Sequence, residues 1–399
     1  MIRWAASERK TLEIVAGGSK SRLGRFAPTD VVFDVSQLAG IVDYDPAELV
    51  LTARAATPIK EIEAQLAAHR QMLAFEPPDW RGLLAAAGEP TLVSGEPTLG
   101  GILACNLAGP RRLRAGAARD FFLGFAAING RGEIYKAGGK VVKNVTGYDL
   151  CKLQAGAYGT LSLLTEVTIK TMPKPEAACT LLLPGLVDDD AIALLARALN
   201  TPHEVSGAAH LPAAVARRSG VAAVAAGDGA ITALRLEGPA PSIAFRADAL
   251  ELLFGCGLRL DDAETASFWR EIGQVHALLP PSGKCVWRLC PTPSSAPAIT
   301  RALRQRFSSA AFFFDWGGGL IWLSLDAQDA GGDGGAHFIR QCLRPFGGHA
   351  TLIAGSEDLR AKIAVFEPEE PALAALSRRV KNGFDPIGLF NPGRMQEGR

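Results

Sequence analysis

The sequence predicts an α+β fold with two glycine-rich lobes and a separate cap domain. Short apolar runs separated by glycines fill residues 98–172, which is typical of strands joined by tight loops. The Met-Pro-Lys-Pro segment at 172–175 interrupts regular structure and indicates a domain boundary. Residues 285–355 then follow the order strand, helix, strand, strand, helix, strand, which is that of a ferredoxin-like unit.

The first lobe, at about residues 1–75, combines strands with one amphipathic helix. Strands are expected at 12–15 and 31–35, followed by a hairpin over 40–55 whose turn is the Asp-Tyr-Asp-Pro of residues 43–46. Thr57 is the expected N-cap of the helix and Pro58 its first residue. Apolar residues then recur at helical spacing, at Ile59, Ile62, Leu66 and Ala67.

The second lobe, at about residues 92–172, contains strands at 121–129, 133–137 and 161–170 with glycines in the connecting loops. Together with the glycine pair at 17–18, these loops carry the main functional signal. Glycine allows positive φ and lets a polyphosphate approach backbone amides without a Cβ in the way. The repeated loops therefore favour a nucleotide cofactor that lies along the backbone.

The cap is expected over residues 176–380, and a return segment over 381–399. Its strands are predicted at 285–290, 312–316, 320–325 and 349–354, and its helices at 295–307 and 337–346. An upstream strand at 232–237 and helix at 242–254 would extend the same sheet. Five aromatic residues concentrate on the hairpin around the glycine turn at 317–319: Phe312, Phe313, Phe314, Trp316 and Trp322. Because alternate residues of a strand face opposite sides, one subset would face helices and the other a partner protein or the glycine-rich lobes. Alternatively, all five fill the cap core, and the cap offers no docking surface there.

Composition excludes several classes of function. A formal net charge of +1 gives no reason to expect a nucleic-acid partner, and 48% hydrophobic residues suit full cores. No secretory signal and no apolar run long enough to span a bilayer are visible. The seven cysteines and six histidines are scattered without metal-ligand or iron–sulfur spacing, so no metal site is expected. Cys285 and Cys290, five apart on one strand, should face opposite sides.

Several motifs together resemble one known superfamily. They are the GGSK of 17–20, the TLGG of 98–101, the Arg-Asp of 119–120, the GYDL of 147–150, the GAYGTL of 156–161 and the FNPGR of 390–394. The set is similar to the FAD-binding domain of the p-cresol methylhydroxylase and vanillyl-alcohol oxidase (PCMH-type) superfamily. Within it, the run NVTGYD at 144–149, preceded by GGK at 138–140, most resembles the FAD-binding subunits of bacterial glycolate oxidases. The resemblance is strong over about 10–175 and at 390–394, and weak between.

The resemblance implies a non-covalently bound FAD. In that superfamily the first glycine loop wraps the pyrophosphate, while the TLGG and GYD-to-GTL regions line the rest of the cofactor. One departure is Ala16, where the first loop more often begins with glycine. No dinucleotide fingerprint G-x-G-x-x-G and no Walker A loop is present. The glycine loops are expected between strands, so that turn amides rather than helix N-termini would hold the phosphates. The candidate cofactor residues are Gly17, Gly18, Ser19, Lys20, Thr98, Gly100, Gly101, Asn106, Asp120, Gly147, Tyr148, Asp149, Gly156, Gly159, Thr160 and Asn391.

Candidates for substrate chemistry are few. Oxidation of a 2-hydroxy acid at a flavin needs a cation for the carboxylate and a base near the hydroxyl. Only Arg288, His349 and Arg394 stand out. The two arginines are equally well explained as exposed residues, and a single histidine at a strand end is more often structural. The resemblance therefore implies a cytoplasmic subunit, held at the inner membrane, if at all, through its partners. It would act beside a second flavin subunit and an iron–sulfur subunit in oxidising glycolate to glyoxylate. Two alternatives are a self-sufficient FAD-dependent alcohol or hydroxy-acid oxidase and a scaffolding subunit with a vestigial flavin site.

Overall fold

The computed structural model describes residues 1–85, 95–140, 147–255, 257–279 and 283–397. Within these ranges the strands form a five-stranded sheet, an eight-stranded sheet and two pairs. The five-stranded sheet and the two pairs lie in the part of the chain before residue 176, and the eight-stranded sheet follows it. Helices and strands thus mix in both parts, as expected for an α+β chain.

The first lobe is built around a parallel pair of strands. Helix α1 (Ile2–Ser7) precedes β1 (Leu12–Val15), which pairs with β2 (Val31–Asp34). The loop between the two strands contains the first glycine pair, so both of its ends are anchored in one strand pair. A small core that includes Phe390 from the C-terminal tail packs against this pair. The tail is therefore part of the first lobe.

An antiparallel sheet and short helices complete the N-terminal part. Its further strands are β3 (Ile41–Asp45), β4 (Val50–Arg54), β5 (Gln71–Met72), β6 (Phe122–Asn129), β7 (Ile134–Gly138), β8 (Ser162–Lys170) and β9 (Met172–Pro173). Its further helices are α2 (Ile59–Ala68), α3 (Arg81–Leu84), α4 (Leu99–Cys105), α5 (Arg112–Ala115) and α6 (Leu150–Gln154). The sheet order is β3-β4-β8-β6-β7, and β5 pairs with β9. Because β4 and β8 are neighbours, one sheet spans the predicted first and second lobes.

Two local predictions were wrong in detail. The hairpin turn lies after residue 45, because strand β3 continues to Asp45, whose carboxylate accepts the amides of Ala47 and Glu48. Thr57 does not cap α2, which begins at Ile59. The Thr57 hydroxyl donates instead to the carbonyl of Arg54 at 2.7 Å and accepts from the amide of Gly40 at 2.9 Å. It ties the two ends of the hairpin together.

The cap consists of two ferredoxin-like halves in one sheet. The first half contains β10 (Ala177–Pro184), α7 (Asp188–Leu199), β11 (Gly207–Leu211), α8 (Ala213–Ala216), α9 (Ala222–Ala225), β12 (Ile231–Gly238), α10 (Ala240–Phe254), β13 (Leu258–Leu260) and α11 (Asp262–Gly273). The second contains β14 (Lys284–Pro291), α12 (Ala296–Arg306), β15 (Ala311–Asp315), β16 (Leu320–Asp326), α13 (Ala327–Ala330), α14 (Ala336–Leu343) and β17 (Gly348–Ala354). Helices α15 (Glu357–Lys362) and α16 (Pro371–Phe384) follow.

The strand order shows an internal repeat. The eight strands lie in the order β13-β10-β12-β11-β15-β16-β14-β17, with all neighbours antiparallel. Each half therefore has the order 4-1-3-2 of a ferredoxin-like sheet, and the halves meet edge to edge where His210 pairs with Phe314. The predicted ferredoxin-like cap is confirmed, and its upstream half is a second copy of the same unit. The domain boundaries at 172 and 380 stay predictions.

The aromatic hairpin is buried within the chain. Phe312 and Phe314 belong to the core on the helix side of the cap sheet. Phe313, Trp316 and Trp322 join the core shared with the N-terminal part, where the Trp322 ring makes an edge contact with Trp80 at 5.4 Å. Of the predicted alternatives, the one in which a subset faces the glycine-rich lobes holds. The docking of a partner protein on this hairpin was wrong, because none of the five rings is exposed.

A buried network of four charged residues joins the cap to the N-terminal part. Arg235 of β12 makes two hydrogen bonds to the Glu76 carboxylate, at 2.7 and 3.2 Å. Arg111 makes two to Glu237, at 3.0 and 2.5 Å. Arginine–carboxylate pairs of this geometry are strong and directional, and breaking one while it is buried is costly. The network therefore fixes how the cap sits on the lobes.

The tail is locked by a second buried pair. Lys381 of α16 donates to Asp385 at 2.6 Å and to the carbonyl of Thr160 at 2.5 Å. The Asp385 carboxylate in turn accepts the amides of Leu389 and Phe390, both at 2.9 Å. These bonds join the end of α16, the loop before β8 and the tail that packs on β1.

The stability of the fold should depend on the ionisation of Asp315. This carboxyl is buried at the end of β15, where burial raises its pKa to about 7 although the amide of Trp316 and the charge of Arg235 oppose that shift. A raised folded-state pKa stabilises the fold below the unfolded value of about 4, and this contribution is lost as the pH rises towards 7. We expect the free energy of unfolding to fall by about 1 kcal/mol per pH unit between pH 5 and 7, and Asp315→Asn to remove this slope.

Urea unfolding at pH 5, 6, 7 and 8 measures the effect. Asp326→Asn is the matched control, since Asp326 is exposed at the end of the next strand and should leave the slope unchanged. Equal pH dependence in the wild type and Asp315→Asn would contradict the prediction.

Candidate functional site

A cleft opens in the N-terminal part where the glycine loops meet. It is lined by the loop 14–21, by the start of α4, by Tyr158 and Gly159, by residues 162–164 of β8 and by the tail residues Asn391 and Arg394. These segments are far apart in sequence but meet at the C-terminal end of β1. The structure thus brings together the first glycine loop, the TLGG segment and the tail, as the sequence predicts.

The first glycine loop uses its two glycines differently. Gly18 has a φ of 68°, a left-handed conformation that favours glycine. Gly17 needs no positive φ, but a Cβ there would lie 1.9 Å from the carbonyl oxygen of Glu96. Close backbone approach therefore requires Gly17, while the preceding position tolerates Ala16. This explains why the departure from glycine at residue 16 costs nothing.

The second glycine pair opens a helix, which corrects the expectation of a turn between strands. Thr98 caps α4 by accepting the amide of Gly101 at 3.3 Å. Gly100 packs on the preceding strand, since a Cβ would meet the Ala55 carbonyl oxygen at 2.7 Å. Gly101 lines the cleft. The nearest atom to a Cβ at this position would be the hydroxyl oxygen of Thr98, at 3.2 Å. A larger residue at 101 would therefore project towards the cleft rather than into the fold.

The third side of the cleft depends on a cluster of left-handed residues. Asn106, Gly156, Tyr158 and Gly159 all have positive φ. The Tyr158 amide donates to the carbonyl of Ala104 at 2.8 Å, which fixes this loop against α4. Non-glycine residues in this region are uncommon, and surrounding contacts must hold them there. The cluster is therefore a built feature of the cleft wall.

Asn391 holds three segments of the cleft together. Its side-chain oxygen accepts the amide of Ile14 at 3.0 Å, and its side-chain nitrogen donates to the carbonyls of Tyr158 and Gly159 at 3.0 and 3.1 Å. Both of its amide hydrogens are thereby used within the protein. We therefore assign Asn391, predicted as a cofactor ligand, to positioning the cradle. Arg394 has a similar role, since its guanidinium donates to the carbonyls of Lys20, Ser21 and Leu23.

Lys20 is the basic group of the first loop. Burial lowers the pKa of its ammonium. It donates to Ser19 Oγ at 3.1 Å, and the described residues place no carboxylate in ion-pair contact with it. A partly buried cation without an acid partner favours an anionic ligand. The loop at 17–20 and Lys20 therefore suit the diphosphate of a dinucleotide such as FAD.

Several other predicted residues lie outside this cleft. Asp120 accepts the amide of Ala117, and Asn106 accepts that of Arg119. Tyr148 is 94% exposed, and Asp149 caps α6. The Thr160 hydroxyl donates to the carbonyl of Ala157. Gly147 and Gly156 have positive φ but are not among the lining residues. Residues 144–146, part of the run that carries the family resemblance, lie outside the described residues. Cofactor contacts for all of these stay predictions.

A second group of polar side chains lies where the cap meets the lobes. It contains the predicted Arg288 and His349 and also Arg112, Cys290 and Tyr158, which the sequence analysis missed. Arg112 and Arg288 both lie over the ring of Trp316, with their Cζ atoms 4.7 and 5.1 Å from its centroid. Burial raises the pKa of Tyr158, so its phenol stays protonated and acts as a donor, not a base. Cys285 and Cys290 do face opposite sides of the cap sheet.

Comparison with known proteins identifies the class. Residues 1–138 match the protein family described as FAD binding domain. The solved structure of p-cresol methylhydroxylase with substrate bound matches 99% of this chain and 85% of its own chain, with a TM-score of 0.67 at 12% identity. A solved 4-ethylphenol oxidase from Gulosibacter chungangensis matches 99% and 86%, with a TM-score of 0.68 at 13% identity. The lobes and cap thus share the fold of these solved structures, with an FAD binding domain at the N-terminal end.

Sequence similarity narrows this to one family. The chain is 34% identical, over 99% of its length and 95% of the relative, to the glycolate oxidase subunit GlcE of Escherichia coli. It is 44% identical to the glycolate oxidase subunit GlcD of Bacillus subtilis over 21% of this chain and 18% of that protein. The chain belongs to the GlcE family of FAD-linked oxidoreductases, and its cofactor is FAD.

Neither a metal centre nor a membrane-spanning helix is found in the described part of the chain. There, no three histidine, cysteine or acidic side chains come together as metal ligands. No helix in the same ranges combines the length and apolar character needed to cross a bilayer.

Gly101→Val should weaken FAD binding without unfolding the protein. The added side chain would project into the cleft that the cofactor needs. We expect the dissociation constant for FAD to rise at least about tenfold, which corresponds to the loss of one good contact. Flavin fluorescence quenching during titration with the purified chain measures it.

Gly383→Val is the matched control for this test. Gly383 is also helical, lies in α16 and has open space around a Cβ, so this variant carries the same propensity cost away from the cleft. Unchanged FAD affinity in Gly101→Val would place the cofactor elsewhere.

Proposed function

We propose that this chain is the FAD-binding subunit of a multi-subunit enzyme that oxidises glycolate, or a related 2-hydroxy acid, to the 2-oxo acid. The observation that carries the proposal is the identity of 34% over nearly the whole length to a protein named as a subunit of glycolate oxidase. The chain is also similar, over 21% of its length, to a protein named glycolate oxidase subunit GlcD. This similarity supports a partner subunit that is related to this chain and also binds a flavin. An iron–sulfur subunit would complete the electron path.

FAD supplies a two-electron acceptor that can also pass electrons on singly. The residues of this chain would bind and orient it: the first glycine loop and Lys20 at the diphosphate, the start of α4 along one wall, and Tyr158 and Gly159 along the other. The side chains of Asn391 and Arg394 hold those walls in place through hydrogen bonds to backbone groups of the protein. The cradle is therefore preorganised for a bound flavin.

The scarcity of candidate catalytic bases among the described residues favours an accessory, electron-transferring role for this subunit. A 2-hydroxy acid needs a base within about 3 Å of the hydroxyl proton. In the described region the tyrosine that lines the cleft, Tyr158, has a raised pKa and is unsuited to accept a proton at neutral pH. His349 is exposed at the start of β17. The described residues of this chain would therefore suit holding a flavin for electron transfer more than removing a proton from a substrate beside it.

A self-sufficient hydroxy-acid oxidase is the second candidate. The two arginines over Trp316 favour it, because they offer cationic groups for a carboxylate. A scaffolding subunit with a vestigial flavin site is less well supported, since the left-handed residues and the tail contacts keep the cradle intact. In either enzymatic case we place the protein in the cytoplasm, or at the inner membrane through its partners.

The isolated FAD-loaded chain should not oxidise glycolate at an appreciable rate. The described residues offer no positioned base, and the lack of one alone costs about 10²–10⁴-fold. Under anaerobic conditions, excess glycolate or D-lactate should leave the flavin absorbance of the isolated chain unchanged over minutes. Addition of the co-expressed partner subunits should restore rapid bleaching.

The control is the same complex assembled with the Gly101→Val chain. The decrease in absorbance that comes from the FAD of this subunit should be missing there. Rapid bleaching of the isolated chain would support the self-sufficient oxidase instead, and His349→Ala would then be the first variant to compare.

A further inference from the structure

A second cavity, which we call the arginine cavity, borders the flavin cleft. It has a volume of about 190 Å³ and is lined by β1, the loop from β1 to β2, α15 and the tail. Ser21, Asn391 and Arg394 line both the arginine cavity and the flavin cleft, so they belong to the wall between the two. Gly18 and Lys20 line the flavin cleft but not the arginine cavity. The arginine cavity is therefore distinct from the loop expected at the FAD diphosphate.

Positive charge is in excess in the lining of this cavity. Among the described residues, four arginines and two glutamates line it: Arg22, Arg25, Arg360, Arg394, Glu13 and Glu357. Like charges gathered in a partly enclosed space repel one another, and the repulsion is stronger there than in open water. An anion between the guanidinium groups would relieve it.

Arg360 of α15 has hydrogen-bond donors without acceptors. The residue is only 3% exposed. Its Nη1 donates to the carbonyls of Arg22 and Gly24, at 2.9 and 3.3 Å, whereas its Nε is buried without a hydrogen-bond partner in the described part of the chain. Burial lowers the pKa of Arg360. Glu357 opposes this shift, and the positive charges of Arg22 and Arg394 add to it. A buried, charged donor without an acceptor is costly, and a bound anion would offset that cost.

Arg25 and Arg394 are held by backbone carbonyls more than by acids. Arg25 donates to the carbonyls of residues 361 and 363, and Glu397, which is 89% exposed, lies 3.9 Å away. Arg394 donates to three carbonyls of the loop 20–23, and Glu13 lies 3.9 Å from its guanidinium. Long or exposed ion pairs offset little charge. Both arginines therefore keep a positive charge at a fixed position beside the cavity.

The loop from β1 to β2 and α15 fix each other through these arginines. Arg25 of the loop bonds to the backbone at 361 and 363, and Arg360 bonds back to the backbone at 22 and 24. Because the bonds run in both directions, the walls of the cavity are in place before a ligand arrives. Preorganisation of this kind lowers the entropic cost of binding.

We propose that the arginine cavity binds a phosphate dianion, either inorganic phosphate or the phosphate group of a small monoester, through Arg25, Arg360 and Arg394. Phosphate has a second pKa of about 6, so it carries nearly two negative charges at pH 8, and it offers three strong acceptor oxygens. Planar guanidinium groups match those oxygens through paired hydrogen bonds. The hydroxyls of Ser21 and Thr29, which also line the cavity, supply further donors. This site is additional to the FAD cradle and to the function proposed above.

Equilibrium dialysis of the FAD-loaded chain against ³²P-labelled phosphate at pH 8 tests the proposal without any turnover. We expect one phosphate site per chain. Methyl phosphate, the simplest monoester, and sulfate should displace the label, whereas glycolate and chloride should need concentrations at least about tenfold higher. Displacement at a lower concentration of methyl phosphate than of unlabelled phosphate would identify a monoester as the preferred ligand, and the reverse order would identify free phosphate.

Two variants should change the affinity in opposite directions. Arg360→Gln should raise the dissociation constant for phosphate about ten- to hundredfold, because a charged donor is lost. Glu357→Gln should lower it about two- to fivefold, because a negative charge beside the anion is removed. Glu357 is exposed at the start of α15, so this variant tests the site even if Arg360→Gln fails to fold. A purely structural role of the arginines would not make phosphate binding depend on Glu357.

Arg379→Gln and Glu370→Gln are the matched controls. Both residues are exposed, in α16 and directly before it, and neither lines the arginine cavity. Each control should leave the dissociation constant unchanged. Absence of bound label, or equal affinity in the wild type and in either Arg360→Gln or Glu357→Gln, would overturn the proposal. Loss of phosphate binding when FAD is added would also overturn it, since the phosphate would then occupy the loop at 17–20. Stronger displacement by glycolate than by methyl phosphate would do the same.

Discussion

The structure of the flavin cleft depends on the side chain of Asn391. Its three hydrogen bonds join the C-terminal tail to the first strand and to the loop at 158–159, each more than two hundred residues away from Asn391 in sequence. Without them, the loop at 158–159 would lose its hydrogen bonds to the tail, and the tail would be held by Arg394 and by the pair of Lys381 and Asp385. The cradle therefore requires the whole chain, although the glycine loops that face the cofactor are local features.

The cap contributes Arg288 and Cys290 of β14 to this region, and also the hairpin formed by β15 and β16. Its buried aromatics place Trp316 against Gly109, so the tip of the hairpin reaches the N-terminal part near the cleft. Arg235 and Glu76 fix the orientation of the cap, and they also contribute to the electrostatic environment of Asp315 beside that tip. Changes in the charge at this interface should thus reach the arginines over Trp316 as well as the stability of the fold.

The sequence was sufficient for the features that depend on local pattern. The strands, the glycine loops and the ferredoxin-like order of the second half of the cap were all predicted, because each depends on residues that are close together in the sequence. The repeat in the first half of the cap was only partly seen, since Ala- and Gly-rich residues at 213–230 obscure its strand order. The start of α4 was read as a turn because the two glycines outweighed the capping threonine, Thr98.

The site residues that were missed depend on long-range pairing. Nothing in the dipeptide at 111–112 distinguishes an arginine that holds a glutamate from one that holds none. The role of Asn391 likewise depends on a contact 377 residues away. A possible signal was the Asp-Trp pair before the glycine turn at 317–319, where a bulky aromatic precedes residues with positive φ. Only the folded chain shows which of these groups face one another.

The central claim is that this chain by itself holds one FAD, without a covalent bond, in the cleft closed by its own tail. The most direct measurement is the flavin content of the purified chain after incubation with FAD and gel filtration, before and after acid precipitation. The account predicts one FAD per chain, all of it released into the supernatant. A chain that emerges without flavin, or a flavin that stays with the precipitated protein, would contradict it.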